Sequence, residues 1–210
     1  MEQEITVQVL CSFREALETL RKNGYVPLCE VAICDSFWTR EPNHKNMPYQ
    51  QIINDSKILR EMVIKDSKGC KEVKLLTQKT KQFNEHGKVI GEDKTDTKVD
   101  DIPTEKEKLR TDGYYNFLNK TQTRFPMKGP DGFVLFIQDI NGAGVFLELE
   151  QKTTAPGGGR VLAEMQGTPQ EIFKTLVNKA VATGLPLGND FAVQPTEILM
   201  QRNANAKEKE

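Results

Sequence analysis

Apolar and polar residues alternate over the first ten positions of the chain. Ile5, Val7 and Val9 fall on one side of an extended segment, and Glu2 and Glu4 fall on the other. Because successive side chains of a strand point to opposite faces, this pattern predicts a strand with one apolar and one polar face.

Two segments with apolar residues at helical spacing are bounded by recognisable helix signals. Ser12 and Glu15 have the spacing of a capping box before the first segment, and Gly24 supplies its stop. The second segment begins at 168–171, which reads Thr-Pro-Gln-Glu, and ends at Gly184. We therefore predict a helix after the first strand and another near the end of the chain.

Three further segments carry weaker signals. Thr104 and Glu107 have capping-box spacing for a short helix that ends near Gly113. Residues 40–56 are polar and contain proline, which predicts a loop. Residues 201–210 are polar, which predicts a disordered tail.

The remaining periodic segments predict strands, most of them joined by turns that are too short for parallel crossovers. Residues 88–99 carry a charged row with no apolar row opposite it, which predicts a long exposed hairpin arm. The fold class is therefore α+β, with an antiparallel sheet that curls or closes and helices set between its strands. The predicted strands are 28–38, 57–65, 72–83, 88–99, 114–125, 133–140, 145–152 and 161–165.

Composition sets limits on partners and location. A length of 210 residues fits one domain, which we place at residues 1–200. Lys and Arg number 29 against 30 Asp and Glu, a net charge of -1, which indicates neither a nucleic-acid nor a membrane partner. No apolar run approaches the roughly 20 residues that span a bilayer. The four cysteines form no C-x-x-C pair, so we expect a cytoplasmic protein with reduced thiols and no zinc site.

Four of the predicted strands carry a charged row on one face. On one interpretation these rows face water, as one side of an ordinary antiparallel sheet does. On the other, the sheet closes into a barrel with helices on its apolar outside, and the rows point inward. Burying them then requires paired charges, or a metal ion with an anionic ligand. The rows are Glu2-Glu4, Thr77-Lys79-Lys81, Lys120-Gln122-Arg124 and Glu148-Glu150-Lys152.

A series of short motifs resembles the CYTH superfamily, the triphosphate tunnel metalloenzymes. After Glu2-x-Glu4 come NGY, DSFW, LREM, LTQK, DGYYNFLNK and GAGVFLELE, in family order over about residues 2–200. The superfamily includes class IV adenylate cyclases, thiamine triphosphatases and inorganic triphosphatases. The resemblance implies an antiparallel eight-stranded β-barrel with helices packed on the outside, whose tunnel holds a divalent metal and a triphosphate.

The resemblance also assigns roles to individual residues. The metal ligands, for Mg²⁺ or Mn²⁺, would be Glu2, Glu4, Glu148 and Glu150. The matching phosphate-binding cations would be Arg60, Lys79 and Lys120. To these we add Arg124 and Lys152 as phosphate-binding candidates, because they, like Lys65 and Lys81, are neighbours that could substitute for the lost cations. Carboxylates suit hard dications, and Lys and Arg suit phosphate oxygens.

The chain departs from the family pattern at several of its charged positions. Thr6, Met62 and Gln122 stand where the pattern has cations, and Gln138 stands where it has a metal-binding aspartate. Asp139 could serve in its place only if a bulge shifted the phase of the strand. Losing one transition-state donor typically costs roughly 3 kcal/mol, so the departures bear more on the reaction than on the fold.

Three hypotheses about function follow. The first is a Mg²⁺- or Mn²⁺-dependent phosphohydrolase acting on a triphosphate, with adenylate cyclase activity as a less favoured variant. The second is a binding or regulatory protein that holds a small anionic ligand, such as a triphosphate, without turnover. The third is a barrel for an apolar small molecule, against which the charged rows argue. A homodimer is left open by the sequence.

Overall fold

The computed structural model describes residues 3–44, 47–54, 56–85, 89–156 and 161–207. The helices are α1 (Phe13–Lys22), α2 (Tyr49–Asn54), α3 (Ile102–Thr111), α4 (Pro169–Ala182) and α5 (Pro195–Lys207). The longer strands are β1 (Glu4–Gln8), β3 (Glu30–Thr39), β4 (Lys57–Asp66), β5 (Gly69–Phe83), β6 (Val89–Lys98), β7 (Tyr115–Lys128), β8 (Val134–Ile140) and β9 (Gly144–Glu150). The short strands are β2 (Val26–Pro27), β10 (Lys152–Thr154) and β11 (Val161–Glu164).

The main sheet is antiparallel and curled, which confirms the predicted fold class. Its strand order is β1-β9-β8-β7-β3-β4-β5-β6, and β2 pairs with β7 beside it. The curl brings the two edge strands, β1 and β6, into contact. Within the described residues no ladder of hydrogen bonds joins those edges, so the sheet surrounds a lumen without a continuous ring of paired strands.

Helices α1 and α4 cover the outer apolar face of β1, β8 and β9. Both begin with the predicted capping boxes, formed by Ser12 with Glu15 and by Thr168 with Glu171. Each box satisfies backbone donors that the first helical turn leaves free. The outer core between helices and sheet includes Ile5, Val7, Leu20, Leu135, Ile137, Leu147, Leu149, Ile172 and Leu176.

The structure differs from the prediction at three helices, α2, α3 and α5. Helix α2 lies inside the predicted loop 40–56, because Tyr49, Ile52 and Ile53 bury one face of it. Helix α3 begins three residues before the predicted start: Asp101 is the N-cap, and its carboxylate accepts a hydrogen bond of 2.8 Å from the Thr104 amide.

Helix α5 occupies much of the segment that was predicted to be a disordered tail. It runs through Lys207, so 201–207 is helical, and 208–210 lies outside the described residues. Its first two turns are anchored by Thr196 and Leu199, which are both buried.

The predicted arm at 88–99 is a strand of the sheet. β6 pairs with β5 along its whole length, from Val89 opposite Phe83 to Lys98 opposite Leu75. Residues 93–98 are exposed, as expected of an edge strand. The predicted arm is therefore an edge strand of the sheet, and its Lys94 lines the lumen.

The lumen has three layers along its length. Apolar side chains fill one end, where Phe37, Leu118 and Phe146 pack against residues of α2 and α5. Charged side chains occupy the middle. Val31, Ile33, Met62, Ile64, Val73 and Leu75 form a second apolar layer at the other end. None of the described helices combines the length and the apolar composition that crossing a membrane requires.

Candidate functional site

The charged middle layer surrounds a cavity of about 120 Å³. That volume accommodates several water molecules or a small anion. Six cationic side chains line it, namely Arg60, Lys79, Lys81, Lys94, Lys120 and Arg124. Three carboxylates line it as well, those of Glu4, Glu148 and Glu150. The charged rows of β1, β5, β7 and β9 therefore meet inside the sheet.

The three glutamates form one cluster because of strand register. Glu4 lies directly opposite Glu150 in the β1–β9 pair, and Thr6 lies opposite Glu148. Opposed residues of an antiparallel pair have Cβ atoms about 5 Å apart. Carboxylate oxygens of all three glutamates come within 4.8 Å of one another, a donor set that could hold a metal ion. Glu2, the fourth predicted ligand, lies outside the described residues.

Arg124 on β7 holds two of these carboxylates. Its Nη2 donates to Glu148 Oε1 at 2.5 Å and to Glu150 Oε1 at 3.3 Å. Its guanidinium also lies 3.5 Å from the ring centroid of Phe136, in a cation–π arrangement. Gln138 donates from Nε2 to Glu148 Oε2 at 3.0 Å. The neutral amide thus supports Glu148 as a hydrogen-bond donor.

The pKa values of the two carboxyls on β9 are shifted in opposite directions. Burial opposes ionisation of Glu148, but the Arg124 charge and hydrogen bonds from Glu150 and Gln138 outweigh it and lower its pKa to about 2. Burial raises the pKa of Glu150 to about 8; the Arg124 charge opposes that rise, and the Glu148 and Glu4 charges add to it. The pair therefore holds one proton at neutral pH, and the raised pKa of Glu150 favours that proton on Glu150 over Glu148.

Asp35 on β3 holds two of the cations that line the cavity, Arg60 and Lys120. It lies in register between Arg60 on β4 and Lys120 on β7. Arg60 donates from Nε to Asp35 Oδ1 at 2.7 Å and from Nη2 to Oδ2 at 2.8 Å, and Lys120 Nζ lies 3.4 Å from Oδ2. The Asp35 side chain has no exposed surface. This bidentate geometry fixes both cations at the edge of the cavity.

The Asp35 network also shifts two pKa values. Burial alone would raise the pKa of Asp35, but the Arg60 and Lys120 charges hold it well below its usual range. For Lys120, burial is the largest influence; Asp35 opposes it, the Arg60 and Lys79 charges add to it, and the pKa falls to about 8. Lys120 is therefore a cation whose charge changes near neutral pH.

Strands β5 and β6 supply a further group of lysines. Lys79 lies opposite Lys94 in register, and both line the cavity. Lys94 Nζ is 2.9 Å from Asp96 Oδ2, and Lys81 Nζ donates to Gln194 Oε1 at 2.8 Å, just before α5. These lysines add positive charge to the cavity that the glutamate cluster also lines.

Three predicted or alternative residues do not reach the site. Lys152 lies at the start of β10, opposite Glu164, and is absent from the described lining of the cavity. Lys65 is exposed near the end of β4. The register of β8 runs without a shift over the described residues, so no bulge turns Asp139 inward, and its side chain is exposed.

Some residues of the candidate site were not predicted from the sequence. Asp35 was quoted only within a motif, although it is the one charged residue in the inward row Val31-Ile33-Asp35-Phe37 of β3. Lys94 and Asp96 were assigned to an exposed arm. Gln194 follows no charged row and carried no signal, because its place in the cavity depends on where α5 docks.

Solved structures of low sequence identity share this architecture. A protein from Pyrococcus horikoshii OT3 has a TM-score of 0.66, with 16% identity over 96% of this chain and 99% of its own. A proposed adenylate cyclase from Vibrio parahaemolyticus has a TM-score of 0.57, with 17% identity over 94% of this chain and 97% of its own. The chain has a CYTH-like fold.

A third solved structure of similar fold is that of a proposed adenylyl cyclase from Hippeastrum, described as having a dominant triphosphatase activity. Its TM-score is 0.57, with 13% identity over 97% of this chain and 96% of its own. The resemblance predicted from the motifs is thus confirmed at the level of the fold. No family model and no curated protein matches the chain.

Proposed function

We propose that the lumen binds a polyphosphate chelated to Mg²⁺ or Mn²⁺. The observation that carries this proposal is the arrangement of six cationic side chains around a cluster of three carboxylates in one cavity. Such an excess of enclosed positive charge is costly unless an anion accompanies it. The solved structures of similar fold support this proposal, since one of these proteins is described as having triphosphatase activity.

The glutamate cluster fits a hard dication. Glu4, Glu148 and Glu150 offer oxygen ligands, which Mg²⁺ and Mn²⁺ prefer. Burial raises the pKa of Glu150 to about 8, and the Glu148 and Glu4 charges add to that rise, so a dication bound among the three carboxylates would favour the ionised form of Glu150. A bound dication would neutralise phosphate charge and polarise the phosphoryl group. The hydrogen bond from Gln138 Nε2 would keep the Glu148 carboxylate oriented toward the metal.

Buried polar atoms in the same cavity support a ligand there. Gln122 Oε1 and Arg124 Nε are buried and have no hydrogen-bond partner among the described residues. Such atoms are rare in folded proteins and call for a partner. Arg124 Nε is a donor suited to a phosphate oxygen, and Arg60, Lys79 and Lys120 would hold further oxygens.

We propose hydrolysis of the bound polyphosphate as the activity. The chain would contribute position and charge, which is most of what phosphoryl transfer requires from a protein. A second candidate, binding without turnover, is favoured by one observation: Asp35 already engages Arg60 through two hydrogen bonds, so part of the cationic charge is neutralised before any ligand arrives.

Calorimetric titration with tripolyphosphate, with and without Mg²⁺, tests the binding proposal. Phosphate release then separates the two candidates. Binding that needs Mg²⁺, followed by release that Glu148→Gln reduces at least tenfold, supports the hydrolase. Glu107→Gln is the matched control, because that side chain is 71% exposed on α3. Tight binding without release supports the second candidate, and no binding rejects both.

A further inference from the structure

The charged cavity has two ends that differ in the space beyond them. At one end Phe37, Leu118 and Phe146 are buried, and residues of α2 and α5 pack against them. Among the described residues these side chains fill the lumen, so we call this end the closed end. A ligand in the charged cavity cannot extend past it.

At its other end the charged cavity adjoins a second cavity of about 100 Å³. Side chains that line both cavities are those of Arg60, Lys94, Arg124 and Glu150. Asp96 and Thr154 add polar groups to the lining of the second cavity, beside apolar ones. A ligand held by Arg60 and Arg124 therefore has room to continue in this direction.

The inward row of β5 shows which cation lies next to the closed end. From that end the row reads Phe83, Lys81, Lys79, Thr77 and Leu75. Phe83 packs against the apolar residues of the closed end, whereas Leu75 belongs to the apolar layer at the other end. Alternate residues of a strand lie about 7 Å apart. Of the lysines on β5 that line the cavity, Lys81 is thus the nearer to the closed end.

The first turn of α5 borders the cavity beside this lysine. Gln194, Pro195 and Thr196 line the cavity, and Thr196 is buried. Gln194 Oε1 accepts one hydrogen bond from Lys81 Nζ at 2.8 Å and another from Tyr49 Oη at 3.3 Å. The ammonium group is consequently held next to the start of the helix.

Backbone hydrogen bonds fix the approach to α5. The Thr6 amide on β1 donates to the Phe191 carbonyl at 3.2 Å, and the Thr6 carbonyl accepts from the Val193 amide at 3.0 Å. Because Pro195 has no N–H, the Thr196 amide is the first donor of the helix. The amino end of a helix carries partial positive charge and favours an anion. The closed end thus combines a helix start with a lysine.

A buried amide independently indicates a ligand at this place. Gln122 is only 7% exposed and lines the charged cavity, and its Oε1 has no hydrogen-bond partner among the described residues. Its register partner on β8 is Ile140, which packs with the apolar residues of the closed end. Unpaired buried polar atoms are rare and call for a partner. Rotation of the terminal amide would present Nε2 as a donor to a phosphate oxygen.

We propose that Lys81, Gln122 and the first turn of α5 bind an unsubstituted terminal phosphate of the polyphosphate. This inference rests on the proposed function and adds the class of ligand. The ligand is a linear polyphosphate with at least one free end, either inorganic or substituted at the other end alone. A substituent lies toward the second cavity, and a polyphosphate that is substituted at both ends is excluded because the closed end has no space for it.

Calorimetric titration of the full chain with Mg²⁺ and three probes tests the inference. The probes are tripolyphosphate, methyl triphosphate and dimethyl triphosphate, which carries one methyl group on each terminal phosphate. Each methylation removes one ionisable oxygen and adds one methyl group, so the two steps differ in whether a free end remains. We expect the second methylation to weaken binding at least about tenfold more than the first, the scale of lost hydrogen bonds between charged groups.

Two variants test the residues. Lys81→Met keeps most of the side chain and removes its charge, and Thr196→Val keeps the shape and removes the hydroxyl. Both should weaken methyl triphosphate more than dimethyl triphosphate and so reduce the tenfold difference between the steps. The matched control is Lys174→Met, at an exposed position of α4, which should leave the difference unchanged.

The possible results separate this inference from the proposed function. Equal costs for the two methylations overturn the inference and leave polyphosphate binding standing. A difference that no folded variant reduces, with folding judged by circular dichroism, also overturns it; if Lys81→Met does not fold, Thr196→Val decides. Failure of all three probes to bind rejects the proposed function, and the inference with it.

Discussion

Asp35 and Arg60 face each other across β3 and β4 through two hydrogen bonds of 2.7 and 2.8 Å, inside the sheet. The pair sits at the centre of the cationic wall, since Lys120 also lies 3.4 Å from Asp35. One buried carboxylate thus holds two cations in place. That arrangement stabilises the two cations in the ligand-free protein and fixes their positions beside the cavity, where they could bind an anion.

Removing the Asp35 charge should destabilise the protein. In Asp35→Asn, Arg60 and Lys120 lose their ionised partner in the interior, and breaking a buried pair costs about 3 kcal/mol or more. Urea unfolding measures this loss. Saturating tripolyphosphate should restore part of it, because the anion replaces the missing charge.

Asp139→Asn is the control for this experiment, because Asp139 is an exposed residue on β8. Its stability should stay within about 0.5 kcal/mol of wild type. An Asp35→Asn protein as stable as this control would show that the wall does not depend on Asp35.

The two glutamates of β9 should respond differently to neutralisation. Glu148→Gln removes the ionised partner of Arg124 and should cost about 2 kcal/mol, the scale of a hydrogen bond to a charged group. Glu150 is protonated at neutral pH, so Glu150→Gln imitates the form already present. Thermal unfolding of both variants at pH 7 measures the difference between their stabilities.

The sign of the pH effect at Glu150 provides a further check. Its folded pKa of about 8 lies above its ordinary value of 4.5, so its contribution to stability is present below pH 4.5 and is lost as the pH rises through 8. Glu150→Gln should therefore match wild type at pH 5 and exceed it at pH 9. Equal stability at both pH values would contradict the assigned proton.

Metal affinity should rise with pH. Glu150 must lose its proton to ligate a dication, so Mn²⁺ binding should release about one proton at pH 7 and strengthen until the pH passes about 8. Titration in two buffers of different ionisation enthalpy counts the protons. In Glu150→Gln both the proton release and most of the affinity should disappear; retention of either would exclude Glu150 as a ligand.

Phosphate affinity should show the opposite dependence. The pKa of Lys120 is about 8, below its ordinary value of 10.5, so the group carries its charge below pH 8 and loses it above. Tripolyphosphate should accordingly bind most tightly below pH 8 and more weakly as the pH rises. Lys120→Arg keeps its charge throughout, so the affinity ratio between wild type and this variant cancels the ionisation of the ligand itself. A ratio that is constant from pH 6.5 to 9.5 would refute the prediction.

The fold was predictable because period-two rows and capping boxes are local signals. Ile5 and Val7 show the outer face of β1, and Ser12 with Glu15 shows where α1 begins. Helix α2 was not predictable in this way, because it has only six residues and depends on packing against the end of the lumen. Helix α5 follows the same rule: its buried residues are set by where it docks.

The candidate site was predictable only in part, for a related reason. A charged row such as Glu148-Glu150 is visible in the sequence, and the curl of the sheet decides that it faces inward. Asp35 is a single charge in an apolar row, so its meaning depends on the register that places it between Arg60 and Lys120. Lys152 belonged to a visible row but follows the end of β9, where the chain leaves the sheet for β10.

A crystal structure of the protein grown with Mn²⁺ and tripolyphosphate tests the central claim most directly. The account predicts an anomalous manganese peak between the carboxylates of Glu4, Glu148 and Glu150, with phosphate density contacting Arg60 and Lys120. An empty lumen in crystals soaked at saturating concentrations, or both ligands bound only on the outer surface, would contradict it.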